Sequence, residues 1–279
     1  MDALPGSRVI VNGAMQPADQ AGFPVFHQSL VDSFGIYETI KFEKGRFFHL
    51  SWHMERLGQS AEILGLDLPA PVEEIAEWSR RLAATWHGTD GMLRIVAYGS
   101  DGVNPAVCGL YYKPPIIHPE RFYKAGAWAI SSEGERTWPL AKSTNCLAQT
   151  MARRKAGSLG AQEGLIVDRH GNITEGSTSN ILAVRDGVLL RPLEGTALAG
   201  VTEGIVLQLA QDLAIPVQHT TLPLNEVPTW DEAFITSTNR RALPLRQIDD
   251  VLLPTCPGPV TGQLMAGYLD YEAQHGWER

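Results

Sequence analysis

The chain has 279 residues, and its 44% apolar and 19% charged content is that of an ordinary soluble globular protein, which excludes a long disordered tract or a membrane bundle. With 23 basic and 31 acidic residues the formal net charge is −8, so long-range electrostatics oppose nucleic acid and anionic membrane as partners. Three widely separated cysteines, Cys108, Cys146 and Cys256, form no C-x-x-C pair and read as reduced structural thiols rather than metal ligands.

The first elements are short. Arg8 to Val11 before Asn12-Gly13 predicts a strand entering a tight turn, and Ile36 to Phe42, Glu43-Lys44-Gly45-Arg46 and Phe47-Phe48 predict a hairpin. Met54, Leu57, Ala61 and Leu64 recur at helical spacing, predicting a helix over 52–64 with Ser51 as its N-cap and Gly65 as its stop. Val72, Ile75, Trp78, Leu82 and Trp86 predict a second helix, and 92–98 a strand. The prolines between Lys113 and Pro119 interrupt both periodicities and place a boundary there: a domain over 1–113, a linker over 114–121 and a second domain over 122–279.

Beyond the boundary, 145–155 predicts a helix with Leu147 and Met151 inward. Strands over 165–168, 172–175, 180–185 and 188–191, separated by His170-Gly171 and Asp186-Gly187, predict an antiparallel meander. Thr202 is placed to cap a helix running through Ile205, Leu209 and Leu213, and 234–237 predicts a further strand. No basic leader followed by an apolar run opens the chain, and no stretch of about 18 apolar residues occurs, so the expected location is cytoplasmic.

The dinucleotide, P-loop, zinc-protease and hydrolase-elbow signatures are all missing. What remains is a set of groups able to hold an anionic, aromatic, carbonyl-bearing cofactor. A lysine that bonds a carbonyl must lose its proton and suits a partly desolvated position at the end of an ordered element. Of the six lysines, Lys142 in Trp138-Pro-Leu-Ala-Lys-Ser-Thr-Asn145 has that setting; the alternative is an ordinary surface charge. Glu175, in a glycine- and hydroxyl-rich turn, either keeps a heterocyclic nitrogen protonated or simply ends a strand. Gly200-Val201-Thr202 opens a helix and offers free amides to an anion, or is plain capping. Thr236-Ser237-Thr238-Asn239 adds donors, and Arg56 is either a cation for a phosphate or half of a surface ion pair.

In their order along the chain these segments resemble the fold-type IV pyridoxal-phosphate enzymes, which comprise branched-chain aminotransferases, D-amino-acid aminotransferases and aminodeoxychorismate lyases. The resemblance rests on Asp32-Ser-Phe-Gly-Ile-Tyr-Glu-Thr-Ile-Lys41, His53-Met-Glu-Arg-Leu57, Lys142-Ser-Thr-Asn145, Thr174-Glu-Gly-Ser-Thr-Ser-Asn180, Leu198-Ala-Gly-Val-Thr202 and Phe234-Ile-Thr-Ser-Thr238. It implies an α/β fold: a small N-terminal α/β domain, a larger C-terminal domain with a barrel-like sheet, and a homodimer. It further implies pyridoxal 5'-phosphate as cofactor, amino acids and 2-oxo acids as substrates, and no metal. Lys142 would be the Schiff-base and proton-transfer lysine, and Glu175 the partner of the pyridine nitrogen. Arg56, Val201, Thr202, Ser237 and Thr238 would hold the phosphate, Leu198 would pack on the ring, and Asn180 would belong to the same cofactor site. Tyr37 and Arg94 would face the substrate.

Within the resemblance, Tyr37-Glu38 is like the aminotransferases, whereas the lyases carry a hydroxyl residue at the second position. Transamination is the expected reaction, with lyase-type elimination, or a non-catalytic binding protein on the same scaffold, as the alternatives. Asn239-Arg240-Arg241 departs from the small residues and glutamate of related aminotransferases, making Asn239 and Arg240 candidates for a substrate carboxylate such as that of a dicarboxylate; the alternative is that Arg240 and Arg241 both point to solvent. Glu203 stands where many relatives have a basic residue.

Overall fold

Burial along the strand Gly35–Glu43 alternates strictly after its first residue: Ile36, Glu38, Ile40 and Phe42 are enclosed, while Tyr37, Thr39 and Lys41 lie on the other face. A buried carboxylate in an otherwise apolar inward register is the oddity from which the site grows. In a computed structural model of the chain, residues 7–86 and 90–279 are described, and they form two compact units. The first runs up to Ile116 and takes in two later pieces, Ala141–Asn145 and Gly276–Arg279; the second comprises Ile117–Leu140 and Cys146–His275. This division is not linear in sequence, because the segment carrying Lys142 belongs to the first unit.

The first unit is built from β1 (Arg8–Val11), β2 (Ala14–Pro17), a single helical turn α1 (Gln28–Val31), β3 (Gly35–Glu43), β4 (Arg46–Phe48), α2 (Leu50–Leu64), α3 (Val72–Ala83), β5 (Asp90–Tyr98) and β6 (Val107–Lys113). Its sheet runs β4-β3-β5-β6-β1-β2, antiparallel throughout, and the C-terminal strand Trp277–Glu278 adds to the β4 edge. Helix α2 lies against β3, and its Leu57 and Met54 join Ile36, Ile40, Leu93, Ile95, Ile75 and Leu82 in one core. Gly65, at φ +61°, ends α2 as expected from its freedom in the left-handed region. The start differs from expectation: His49, not Ser51, occupies the N-cap, and Ser51 instead meets the Glu278 carboxylate. Helix α3 stops at Ala83 rather than reaching Trp86, whose ring packs on Tyr112.

The second unit contains α4 (Glu120–Ala125), β7 (Ala127–Glu133), α5 (Leu147–Leu159), β8 (Glu163–Val167), β9 (Ile173–Gly176), β10 (Asn180–Arg185), β11 (Val188–Arg191), α6 (Val201–Asp212), β12 (Val217–His219), β13 (Glu232–Ser237), β14 (Arg241–Ile248), β15 (Val251–Leu252) and α7 (Pro259–Gln274). The sheet order is β12-β11-β10-β13-β14-β7-β8-β9, with β15 on β14, and the sheet curls into a half-barrel. Two expectations are corrected. The meander breaks between β9 and β10, because β10 pairs with β13 and β9 pairs with β8 alone. On α5 it is Gln149, Ala152 and Ala156 that are buried, whereas Leu147 and Met151 are exposed: close packing of α5 on β8, where a Cβ on Gly164 would sit 2.4 Å from the Ala152 carbonyl, selects small residues. Helix α6 starts at Val201 with Gly200 as N-cap, so Thr202 is its second residue rather than its cap. Helix α7 carries no marked periodic signal; it is fixed by tertiary contacts, its Val260 and Thr261 amides donating to the buried Glu232 carboxylate at 3.0 and 2.7 Å.

Candidate active site

In the first unit, the segment Ala141–Asn145 lies along the start of β3 as a short antiparallel addition, bridged at Ile36 and Ser143. Both backbone groups of Lys142 are bound: its N–H donates to Ser60 Oγ at 3.0 Å, and its carbonyl accepts from the Tyr37 N–H at 2.9 Å. Thr144 fixes the other end, donating through its N–H to the Gly35 carbonyl (2.8 Å) and through its hydroxyl to that of Ser33 (2.9 Å). Four hydrogen bonds on Lys142 and Thr144 leave the Lys142 backbone little freedom. Its Nζ stands 4.8 Å from the centre of the Tyr37 ring, and the Arg94 guanidinium stands 4.5 Å from the same centre. Arg94 reaches that ring because it pairs with Thr39 across the β3–β5 ladder, on the face opposite α2. Arg94 Nε is buried without a hydrogen-bond partner among the described residues.

On the α2 face of β3, Glu38 is fully buried and accepts from Arg56 Nε at 2.7 Å, Arg56 Nη2 at 2.9 Å and His53 Nδ1 at 2.7 Å. Burial pushes the Glu38 carboxyl up, but the Arg56 and His53 charges and hydrogen bonds outweigh it and hold the group well below the ordinary carboxylate value. An ionised carboxylate only accepts, so the proton of neutral His53 sits on Nδ1. Burial, reinforced by the Arg56 and Lys142 charges, depresses the His53 imidazole against the opposing pull of Glu38. His53 Nε2 is left buried with no partner among the described residues. Arg56 therefore sits in a buried, bidentate ion pair, not a surface one. His53, Arg56 and Ser60 occupy one face of α2, a polar stripe between the apolar positions Leu50, Met54, Leu57 and Ala61.

In the second unit, Glu175 near the end of β9 is buried and receives Gln149 Nε2 at 3.2 Å and Arg136 Nη1 at 3.3 Å. The turn after it is organised by Glu163 of β8, another buried carboxylate, which accepts from the Ser177 N–H (3.1 Å), the Ser179 hydroxyl (2.9 Å), the Ser177 hydroxyl and Arg240 Nη1. Arg240 also donates to Thr178 Oγ1 at 2.9 Å and to the Gln162 carbonyl at 3.3 Å. Arg241 lies on the Glu272 carboxylate at 2.7 Å. Both arginines are thus engaged with carboxylates of their own unit, and Asn239 lies in the turn between β13 and β14.

Asn180 opens β10 and donates through Nδ2 to the Leu198 carbonyl at 2.6 Å, setting the loop that delivers Gly200 to the start of α6. A Cβ on Gly200 would lie 2.1 Å from Asn180 Oδ1, so any side chain there would have to displace the Asn180 amide. The Val201 and Thr202 amides head α6, and the Thr202 hydroxyl shares a hydrogen bond with the buried Tyr268 of α7. Ser237 ends β13, which pairs with β10 from Asn180 to Thr236, and Thr238 follows in the turn. Glu203, at the third position of α6, faces Arg191 at 3.4 Å, and burial raises its carboxyl despite that pair. The donor set of this unit suits a phosphate and a protonated ring nitrogen: two helix-terminal amides, hydroxyls at 202, 237 and 238, and a buried carboxylate held by a guanidinium and an amide. Glu38, Ser60, Arg136, Gln149 and Glu163 were not singled out from sequence as site residues. The first two carried a signal, a polar residue in an inward strand register and a polar stripe on an apolar helix face; Arg136 and Gln149 carried none.

Residues 35–248 match the family model for amino-transferase class IV. A D-alanine aminotransferase of Staphylococcus epidermidis is 30% identical over 281 residues, covering 96% of this chain and 99% of the relative. Among solved structures, a branched-chain aminotransferase from Thermoproteus uzoniensis with norvaline superposes with a TM-score of 0.83 at 28% identity, covering 94% of this chain and 93% of that one. A branched-chain amino acid aminotransferase from T.th., solved with pyridoxamine 5'-phosphate, gives 0.85 at 26% identity, covering 95% and 93%.

Proposed function

We propose, from the premise that this chain belongs to the class IV aminotransferases and is a pyridoxal-phosphate-dependent enzyme, that Lys142 holds the cofactor covalently and moves the substrate α-proton. The observation that carries this reading is the setting of the Lys142 amine, whose backbone is bound on both sides and whose Nζ shares the Tyr37 ring with Arg94. Pyridoxal phosphate supplies a carbonyl to receive the amino group and a protonated ring to take up the electron pair left when the α-proton departs. Glu175, steadied by Arg136 and Gln149, keeps the ring nitrogen protonated. The Val201 and Thr202 amides, the hydroxyls of Thr202, Ser237 and Thr238, and Arg56 hold the phosphate; Leu198 packs on the ring and Asn180 fixes its loop.

Once the amino donor has displaced it from the cofactor, Lys142 Nζ would take the proton from the amino-acid α-carbon and pass it on to the cofactor, where the amino group stays while water supplies the keto oxygen of the departing 2-oxo acid; with the second 2-oxo acid Nζ would move a proton back to the α-carbon as water is released. Arg94, with its buried unpaired Nε, binds the substrate carboxylate beside Tyr37. The protein acts as a homodimer. Val25, Phe26, Val31 and Val103 are 70 to 91% exposed on α1 with the loop before it and on the 99–106 loop, which the Gln28 N–H to Asp101 bond of 2.7 Å ties together, an apolar patch that a second copy would cover.

Borohydride reduction of the purified enzyme should label a single peptide containing Lys142, and Lys142→Ala should abolish amino transfer across a panel of L- and D-amino acids with pyruvate and 2-oxoglutarate. Label on another lysine, or full turnover in Lys142→Ala, would overturn the assignment. Pyruvate release from aminodeoxychorismate with no amino transfer to any oxo acid would replace it with elimination.

A further inference from the structure

We infer that Ser60, on the polar stripe of α2, is a positioning residue for Lys142: its hydroxyl oxygen fixes the Lys142 backbone N–H and through it the direction of the amine. The inference rests on the reading of Lys142 given above and adds a residue to it. Ser60 is 1% exposed, and its oxygen accepts the Lys142 N–H at 3.0 Å. The bond joins positions 82 residues apart and lies part-buried, so it is not a local turn contact. The Tyr37 amide holds the carbonyl of the same residue from the opposite side of the peptide, at 2.9 Å. Lys142 is thus held between a helix and a strand, which fixes the two backbone torsions that set where its Cβ points.

The rest of the stripe explains why α2 is rigid enough for this task. Seven residues separate His53 from Ser60, two helical turns, with Arg56 between them on the same face. His53 and Arg56 are both bonded to Glu38, which follows Tyr37 directly in β3. The same strand therefore registers α2 through Glu38 and binds the Lys142 carbonyl through Tyr37, while α2 binds the Lys142 N–H through Ser60. This closes a ring of contacts around the lysine in which each member is buried or half-buried. Removing the Ser60 oxygen takes this acceptor from the Lys142 N–H and loosens the segment on its helix side, while the bonds to Tyr37, Gly35 and Ser33 still tie it to the strand side. A displacement of about 1 Å at a reacting group can lower turnover about a hundredfold.

The test compares Ser60→Ala and Ser60→Cys with Ser79→Ala in the holoenzyme. Ser79 is a buried serine whose hydroxyl donates to the Ile75 carbonyl within α3 instead of meeting the Lys142 backbone, and it controls for the loss of a buried hydroxyl as such. For Ser60→Ala, kcat should fall about tenfold or more with KM for the amino donor nearly unchanged. Circular dichroism in the cofactor absorption band should change in sign or amplitude, and the pH midpoint of that band should move. Ser60→Cys, a weak acceptor, should fall between the wild type and Ser60→Ala. Ser79→Ala should lower the melting temperature while leaving kcat and the cofactor spectrum as in the wild type. Wild-type kcat and spectrum in Ser60→Ala would overturn the inference, as would equal losses in Ser60→Ala and Ser79→Ala, or failure of both Ser60 variants to fold, which would assign the residue to folding alone. Borohydride labelling of the wild type separates the two levels: label on a different lysine refutes the reading of Lys142, whereas label on Lys142 with an indifferent Ser60 refutes only this inference.

Discussion

Glu38→Ala should be among the most destabilising substitutions in the first unit. The Glu38 carboxylate is inaccessible to solvent, and the Arg56 side chain bonded to it is 10% exposed. Deleting the acid takes the neutralising carboxylate from a mostly buried guanidinium, and removing one member of a buried ion pair costs about 3–5 kcal/mol. The His53 Nδ1–H loses its acceptor as well, another about 1–3 kcal/mol if nothing replaces it. Partial relaxation makes the terms less than additive, and an expected loss of about 4 kcal/mol corresponds to a fall in melting temperature of about 10 °C. Melting should be followed by circular dichroism on cofactor-free protein, so that altered cofactor binding does not enter the comparison. Combining Glu38→Leu with Arg56→Met removes both charges, and the double variant should be at least about 2 kcal/mol more stable than the sum of the single losses. Additive losses would refute the claim that the pair, rather than packing, carries the effect.

The pH dependence of the same comparison has a definite sign. The Glu38 carboxyl lies below its ordinary value of 4.5 in the folded protein, burial being outweighed by Arg56 and His53. The unfolded chain therefore binds more protons than the folded one between the folded value and 4.5. The contribution is complete above 4.5 and is lost as the pH falls toward the folded value. The stability gap between wild type and Glu38→Ala should be flat from about pH 5 to 8 and shrink in more acidic solution.

Two further outcomes concern the second unit. Arg240→Met should lower the melting temperature, because the buried Glu163 loses its cation and the Gly176–Asn180 turn loses the Thr178 contact. The ratio of turnover with 2-oxoglutarate to that with pyruvate should stay unchanged; a selective rise in KM for the dicarboxylate would instead give Arg240 a direct role on the substrate. Gly200→Ala should raise the cofactor dissociation constant about tenfold or more, since its Cβ would displace the Asn180 side chain that sets the Leu198 loop, 2.1 Å away. Equilibrium dialysis measures it, and wild-type affinity would count against the geometry proposed for that cup.

The elements that could be read from the sequence are those whose cause is local. Ile36, Ile40 and Phe42 alternate in β3, Met54, Leu57 and Ala61 recur along α2, and Gly65 stops it, so each declared itself within its own window. The misreadings arise where distant packing decides. Leu147 and Met151 look like the inner face of α5, yet the close approach of Ala152 to Gly164 turns them outward. Ser51 looks like the cap of α2, yet the C-terminal strand draws it to Glu278, and the chain enters the helix from His49, whose N–H is held by the Gly276 carbonyl.

The site divides along the same line, and this explains why Lys142 could be found and its support could not. A covalent lysine announces itself by residue type and by the motif around it, because its chemistry permits few substitutes. Its supports are generic: a serine hydroxyl, a strand amide and a helix face with one glutamate opposite. Yet a trace was present in the mismatch between two periodicities. Glu38 falls in the inward register of β3, and His53, Arg56 and Ser60 fall on the inward stripe of α2, so four polar residues occupy positions that the apolar pattern reserves for core. Polar residues in facing core registers must satisfy one another or a third group. Once β3 faces α2, that requirement alone directs Glu38 to Arg56 and His53 and leaves Ser60 in need of a partner from elsewhere in the chain.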